Sequence, residues 1–283
     1  MIAITGASGQ LGRLVIDNLL TRTDASNIVA LIRNPAKAAE LEALGVTVRI
    51  ADYDKPETLP AALSGVKKLL LISGSEVGQR FPQHSAVIKA ASDAGLELFA
   101  YTSLLKAMES PMILAQEHQQ TEDAIRASGL PTVILRNGWY TENLLGGLDH
   151  ELASGKVSGA SASGRWSTAA RRDYAEAAAA VLTSTESQVG KVYELAGDQG
   201  FTLEEFAAAL SKLSGKEVVY NNLDAQAYEQ ALLQAGLPAG FAGILVDAQV
   251  QAAAGWLADD SGSLSGLIGR PSTPLDESLA AVL

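Results

Sequence analysis

Cysteine is absent from this chain of 283 residues. That excludes disulfides, thiol nucleophiles and thiolate metal sites, and no metal site is expected. Aromatic residues make up only 5% of the chain, and histidine occurs three times. Positive charge is the scarcer sign: 21 Lys and Arg stand against 32 Asp and Glu, a formal net charge of −11. Such a chain has no electrostatic reason to bind nucleic acid or an anionic membrane. Long apolar runs are missing too, so membrane insertion is not expected. A strand-like pattern begins at residue 2, so no signal peptide is expected. A cytoplasmic protein is expected, and a homodimer is compatible with that reading. With 47% hydrophobic residues, the chain can bury one large core or two smaller ones.

What is present begins at the N-terminus. The apolar start Ile2-Ala3-Ile4 leads into Thr5-Gly6-Ala7-Ser8-Gly9-Gln10-Leu11-Gly12, followed by a helical apolar pattern at Leu14, Val15, Leu19 and Leu20. A second apolar run, 28–32, ends at Arg33. Strand, glycine turn, helix and second strand together form a dinucleotide grip. Gly6 is expected to make the tight turn, Gly9 to admit the pyrophosphate, and Gly12 to let the helix pack closely on the sheet. Free N–H groups and the positive end of the helix dipole favour an anion there.

The end of the second strand selects the dinucleotide. An acid about 20 residues past the glycines binds the ribose 2′-hydroxyl of NAD, whereas an Arg accommodates the 2′-phosphate of NADP. Here Arg33 is followed by Asn34, Pro35 and Lys37, with no Asp or Glu between Ala25 and Ala39. The planar guanidinium fork suits a phosphate, so NADPH (NADP+) is the expected cofactor.

Apolar strands alternate with helical stretches through the first half, in the order strand 46–50, helix 58–63, strand 68–72, helix 83–94, strand 97–101, helix 114–127 and strand 131–135. Near-continuous apolar strands imply a parallel sheet covered on both faces, an α/β, doubly wound (Rossmann) fold. Its strand tips, at 6–12, 33–34, 52–53 (Asp52, Tyr53), 73–75 (Ser73, Gly74, Ser75), 102–103 (Thr102, Ser103) and 137–140 (Asn137, Gly138, Trp139, Tyr140), should meet in one crevice. The second half changes character. Gly and Ser cluster over 154–164, helices are expected at 172–182, 202–213, 226–236 and 239–257, and short strands at 192–195 and 218–220. One closing helix is expected in the tail. Thr202 with Glu205 has the capping-box spacing. The expected division is a cofactor domain over 1–138 and a smaller, mostly helical C-terminal substrate lobe over 139–283. A segment near 165–197 should return to the first domain.

One further absence concerns chemistry. Short-chain reductases and epimerases place a Lys four residues after a Tyr, which puts both on one helix face and lowers the phenol pKa for proton exchange. None of the seven tyrosines has this lysine. The helix that would carry the pair holds His118 and Glu122 instead, again four apart, and they are expected as a polar pair facing the crevice.

The motifs Gly6–Gly12, Arg33-Asn34-Pro35-x-Lys37, Ala51-Asp52-Tyr53, His118 with Glu122, and Leu135-Arg136-Asn137-Gly138-Trp139-Tyr140-x-Glu142-Asn143 resemble the NmrA-like atypical short-chain dehydrogenase/reductase family. Within it they resemble the bacterial NAD(P)H:quinone oxidoreductase type 2 group and its relative triphenylmethane reductase. The resemblance extends through Arg171-x-Asp173-Tyr174 and Lys191–Gly197. It implies NADPH binding and hydride transfer to a quinone without flavin. It also covers redox-sensing regulators that bind the dinucleotide without turnover. A nucleotide-sugar epimerase is disfavoured by the missing Tyr-Lys pair. A quinone accepts hydride readily, so the protein need mainly align two rings. Tyr140, Asn137 and His118, in that order, are the candidate catalytic groups, and Trp139 could stack on an aromatic substrate. Arg171 joins the cofactor-binding candidates.

Overall fold

A computed structural model describes residues 1–283. It contains nine strands, β1 (Ile2–Ile4), β2 (Ile28–Ile32), β3 (Thr47–Ile50), β4 (Lys68–Leu71), β5 (Leu98–Leu104), β6 (Thr132–Asn137), β7 (Lys156–Gly159), β8 (Val192–Leu195) and β9 (Val219–Asn222). The helices are α1 (Gln10–Leu20), α2 (Ala38–Glu42), α3 (Leu59–Ala62), α4 (Arg80–Asp93), α5 (Ile113–Ser128), α6 (Thr141–Leu145), α7 (Leu148–Ser154), α8 (Arg171–Thr183), α9 (Leu203–Ser214), α10 (Ala225–Gln234), α11 (Ala239–Ala253), α12 (Ser263–Ile268) and α13 (Leu275–Ala280). No helix is long and apolar enough to cross a membrane.

Seven strands form one sheet in the order β3-β2-β1-β4-β5-β6-β8. The ladders from β3 to β6 are all parallel. At β6 and β8 the bonds Gly190 N–H to Thr132 O and Ile134 N–H to Lys191 O advance in the same direction along both strands. This is the doubly wound Rossmann-type fold expected from the sequence. Its order reverses between β1 and β4, the position at which such sheets open a crevice beyond the carboxyl ends of their strands.

The chain forms two compact units. Unit 1 comprises Met1–Met108, Gln116–Asn137 and Arg171–Tyr193; unit 2 comprises Glu109–Ala115, Gly138–Ala170 and Glu194–Leu283.

In unit 1, strand residues alternate between two covered faces. Ala3, Val29, Leu31, Leu69, Leu71, Phe99 and Tyr101 join Leu59 of α3 and Leu63 just after it, Val87, Ile88 and Ala91 of α4, and Ile125 of α5 in one buried cluster. The opposite face receives α1, whose buried stripe is Leu11, Gly12, Val15, Ile16 and Leu19. Beside it packs α8, where Ala175, Ala177, Ala178 and Ala179 are buried and their small side chains permit close approach. Burying each Val, Leu or Ile contributes about 1.5–3 kcal/mol.

In unit 2, β7 and β9 pair in parallel. Against them lies α9, whose start is fixed by the capping box expected from the sequence. The Thr202 hydroxyl accepts from the Glu205 N–H at 3.1 Å, and the Glu205 carboxylate accepts from the Thr202 N–H at 2.8 Å. Trp166, Phe206 and Leu210 are fully buried here.

The elements depart from expectation in several places. The strand read over 97–101 runs on to Leu104, because Thr102 and Ser103 are buried with hydrogen-bond partners rather than released into a loop. The Gly/Ser cluster at 154–164 contains a strand, and two short helices precede it. The tail holds two short helices, not one, separated by the turn after Gly269.

Candidate cofactor and active site

The glycine turn takes its shape from two contacts. Gly6 has φ +57°, a backbone state closed to most side chains. A Cβ on Gly12 would lie 2.3 Å from Gly6 O and 2.9 Å from Ala7 Cα. Gly12 is therefore required by the turn folding back on its own helix. The Gly9 N–H bonds Gly6 O at 2.9 Å, and the Ala7 N–H bonds Leu31 O at 3.2 Å, so the turn is tied to the end of β2. The N-cap of α1 is Gly9, with no side-chain cap and no acid in the first turn. The first-turn N–H groups have no helical acceptors, and Ser8, Gly9 and Gln10 are exposed around them. This exposed, uncapped positive end fits a pyrophosphate.

Across the switch point, Thr5 joins the tips of β1 and β4. Its N–H bonds Leu70 O at 3.0 Å, and its buried hydroxyl accepts from the Ile72 N–H at 2.9 Å. Tyr53 directs its phenol toward Thr5, and burial pushes that phenol up to about 12, so it stays protonated. Asp52 accepts from the Asp54 N–H at 3.2 Å and lies 3.6 Å from Lys55 Nζ. Asn34 caps the following turn through Ala36 N at 3.0 Å. Lys37 is exposed, 4.0 Å from Glu40. Arg33 Nη1 donates to Glu76 Oε1 at 2.8 Å.

The loop after β4 is held from beneath. The Ser73 N–H donates to Thr102 Oγ1 at 2.9 Å, and the Gly74 N–H donates to His84 Nε2 at 2.9 Å. Arg80 Nε donates to Gly74 O at 2.7 Å. Ser75 is exposed beyond this anchor. Glu117 accepts from the Gly78 and Phe81 N–H groups at 3.1 and 3.2 Å and lies 3.8 Å from Arg80.

His118 and Glu122 are both buried, and each is bonded to a different group. His118 Nδ1 is 2.7 Å from the Tyr101 hydroxyl. Burial holds the imidazole well below its ordinary pKa, with the charge of Arg80 adding to the effect, so it is neutral. Glu122 accepts from Ser103 Oγ at 2.5 Å and from Arg136 Nε and Nη2 at 3.0 and 2.8 Å. The expected His–Glu pair is thus two neighbouring networks. The Ser103 hydroxyl proton is committed to Glu122, which leaves that side chain only lone pairs to offer a ligand.

Asn137 ends β6 buried, and its carbonyl accepts from the Leu105 N–H at 2.9 Å. Arg171 opens α8, half-buried. In unit 2, the Gly138 N–H bonds Leu195 O at 2.7 Å. Trp139 meets Trp166 edge-on at 5.8 Å, so its ring packs against a buried structural indole. Tyr140 is half-buried and bridges to Ala169. No group of three or more His, Asp or Glu is arranged to hold a metal ion.

Sequence reasoning missed Glu76, Gln83, His84, Arg80 and Glu117. A signal existed: the buried stripe of α4 reads Arg80, Gln83, His84, Val87, Ile88, Ala91. Its apolar period continues into three polar residues, which marks a helix whose first turns face buried polar partners rather than core.

A family model described as NAD(P)H-binding matches residues 6–185. The chain belongs to this NAD(P)H-binding family. As a member it is 53% identical to quinone oxidoreductase 2 of Escherichia coli (strain K12) over 280 residues, 99% of this chain and 98% of that one. Among solved structures it resembles the Escherichia coli NADPH-dependent quinone oxidoreductase complexed with NADPH, with TM-score 0.98 and 52% identity, covering 100% and 99% of the two chains. It also resembles Citrobacter sp. triphenylmethane reductase complexed with NADP(H), with TM-score 0.96 and 40% identity over the full length of both. These relatives bear out the resemblance to the quinone oxidoreductase type 2 group and to triphenylmethane reductase.

Proposed function

We propose that this protein is an NADPH-dependent quinone oxidoreductase that reduces a quinone by direct hydride transfer without flavin. The uncapped glycine turn with Arg33 at the neighbouring strand tip carries the cofactor half of this reading. The end-to-end 53% identity to a quinone oxidoreductase supports the acceptor half. Gly6–Gly12 would hold the pyrophosphate. Arg33, with Asn34 and Lys37, would hold the adenosine phosphate, and Asp52, Tyr53, Ser73–Ser75, Thr102, Ser103, Asn137–Tyr140 and Arg171 would border the rest. NADPH bound there supplies the hydride.

The chain's own tasks are then to align the quinone and let a proton reach the hydroquinone oxygen. Tyr140 is the first candidate to hydrogen-bond that oxygen, and Asn137 the second. His118 ranks last, because it is buried and neutral with one ring nitrogen engaged by Tyr101. A net charge of −11 supports a protein that keeps away from nucleic acid, and the cytoplasm is the proposed location. Whether two copies associate is read by sedimentation velocity.

The test mixes purified protein with NADPH and a benzoquinone and follows the absorbance of reduced nicotinamide. Steady oxidation is expected. Tight NADPH binding with no turnover on any of several quinones would overturn the enzyme reading and leave a dinucleotide-sensing protein.

A further inference from the structure

Arg33, at the tip of β2, is the guanidinium that the cofactor reading places on the adenosine 2′-phosphate, and an anion of the chain already occupies it. Its Nη1 donates to Glu76 Oε1 at 2.8 Å. The second oxygen of Glu76 accepts from Gln83 Nε2 at 3.1 Å, and the same amide nitrogen donates to Asp54 Oδ1 at 3.2 Å. Gln83 is buried, so its amide is a fixed anchor. Four side chains, Arg33, Glu76, Gln83 and Asp54, thus join the tips of β2, β3 and β4 to the first turns of α4. Both members of the ion pair are exposed, with side-chain exposures of 61% and 45%, and such a pair contributes little to folding. The consequence of its placement falls on ligand binding.

We propose that Glu76 is a specificity-determining residue that competes with the 2′-phosphate of NADPH for Arg33 and thereby limits the preference for NADPH over NADH. The proposal rests on the cofactor reading above. A carboxylate and a phosphate address a guanidinium through the same donor fork. When the phosphate arrives, either Glu76 leaves Arg33 and loses a charge-assisted bond, or it stays and two anions share one cation. The hydrogen bonds from Arg33 and Gln83 hold Glu76 below its ordinary pKa, so it is ionised at neutral pH. NADH incurs neither cost. A carboxylate beside this strand tip is also the group that accepts a ribose 2′-hydroxyl in NAD-binding relatives of the fold. In this chain the carboxylate comes from the loop after β4 instead of the end of β2, where residues 25–39 hold no acid.

The experiment measures Kd for NADPH and NADH by nicotinamide fluorescence or calorimetry, at low and moderate salt, for the parent, Glu76→Gln and Arg33→Ala. Gln at 76 keeps an acceptor for Gln83 and removes the charge. It is expected to tighten NADPH roughly 5- to 20-fold at low salt, as for one unit charge removed near a phosphate. The gain should shrink as salt screens it, and NADH should stay unchanged or weaken. NADPH affinity that is unchanged, or that moves in step with NADH, overturns the proposal. Arg33→Ala separates the two layers. If it weakens NADPH more than NADH while Glu76→Gln does nothing, the cofactor reading stands and the competition is refuted. If Arg33→Ala weakens both equally, Arg33 does not bind the phosphate and both fail.

Discussion

The buried imidazole of His84 should make unit 1 acid-sensitive in a way that one substitution removes. His84 is fully buried in α4. Its Nε2 accepts the Gly74 N–H at 2.9 Å, so Nδ1 must carry the proton and donate to Thr121 Oγ1 at 3.0 Å. The Thr121 hydroxyl then donates to Glu117 O at 2.7 Å. A second proton on the ring would face an N–H donor. Burial lowers the pKa from 6.5 to about 3, with the charge of Arg80 adding to it. Tyr101, edge-on at 5.4 Å, supplies no countercharge. The folded pKa lies below the unfolded one. The contribution is therefore complete above about pH 6.5 and is lost as pH falls from there toward 3, because only the unfolded chain takes up the proton. Between pH 7.5 and pH 5 the loss is about 2 kcal/mol, with a slope approaching about 1.4 kcal/mol per pH unit below pH 6.

Urea midpoints followed by far-ultraviolet circular dichroism at several pH values would read this, for the parent and for His84→Gln. Trp139, Trp166 and Trp256 all lie in unit 2, so tryptophan fluorescence would follow the wrong unit. The variant is expected to lose about 2 kcal/mol less than the parent over that pH range, whatever its stability at pH 7.5. Carboxylates and His118 titrate in both proteins and cancel. Equal pH dependence in the two would refute the claim that His84 is held neutral by burial.

Three other substitutions test separate parts of the structure. Gly12→Ala puts a Cβ 2.3 Å from Gly6 O, so the turn must open by nearly an ångström; NADPH affinity measured by calorimetry should fall at least about tenfold, and retained affinity would mean the turn yields freely. Thr202→Ala removes the hydroxyl half of the capping box and should cost unit 2 about 1 kcal/mol, read by tryptophan fluorescence during urea unfolding. Tyr140→Phe should lower kcat for benzoquinone reduction at saturating NADPH roughly 10- to 100-fold, the low end for a positioned acid; an unaltered kcat would remove Tyr140 as donor.

The parts legible in the sequence are those whose physics is local. Gly6, Gly9 and Gly12 sit on one turn, and Arg33 ends a five-residue apolar strand, so spacing alone carried them. The capping box at Thr202 was legible for the same reason. The partner of Arg33 was not, because Glu76, Gln83 and Asp54 come from separate loops and one helix that meet only in the folded sheet. The strand Lys156–Gly159 was hidden by its composition: it gains β structure from pairing with Val219–Asn222, far along the chain, rather than from its own propensity. His118 and Glu122 had the right helical spacing, but spacing says only which side chains share a face. Their separate partners, Tyr101 and Arg136, come from neighbouring strands.

These buried partners explain how a crevice rim made of loops can be rigid. In a doubly wound sheet the helix starts adjoin the carboxyl ends of the strands. On that side α4 presents Arg80, Gln83 and His84, and α5 presents His118, Thr121 and Glu122, all buried. An apolar layer there could pack the helices but could not satisfy the N–H of Gly74 or the hydroxyl of Ser103, and each unpaired buried group costs about 1–3 kcal/mol. The neutral imidazole of His84 and the carboxylate of Glu122 satisfy them, and each buried charge of the layer has a counter-charge, Arg136 for Glu122 and Glu117 for Arg80. The loop after β4 is thereby anchored at Gly74 while Glu76, two residues further on, stays exposed. Cofactor choice then depends on a few surface side chains that can change without disturbing the layer beneath. That is why Glu76→Gln is expected to alter the balance between NADPH and NADH while the fold, and the position of Gly74, stay as they are.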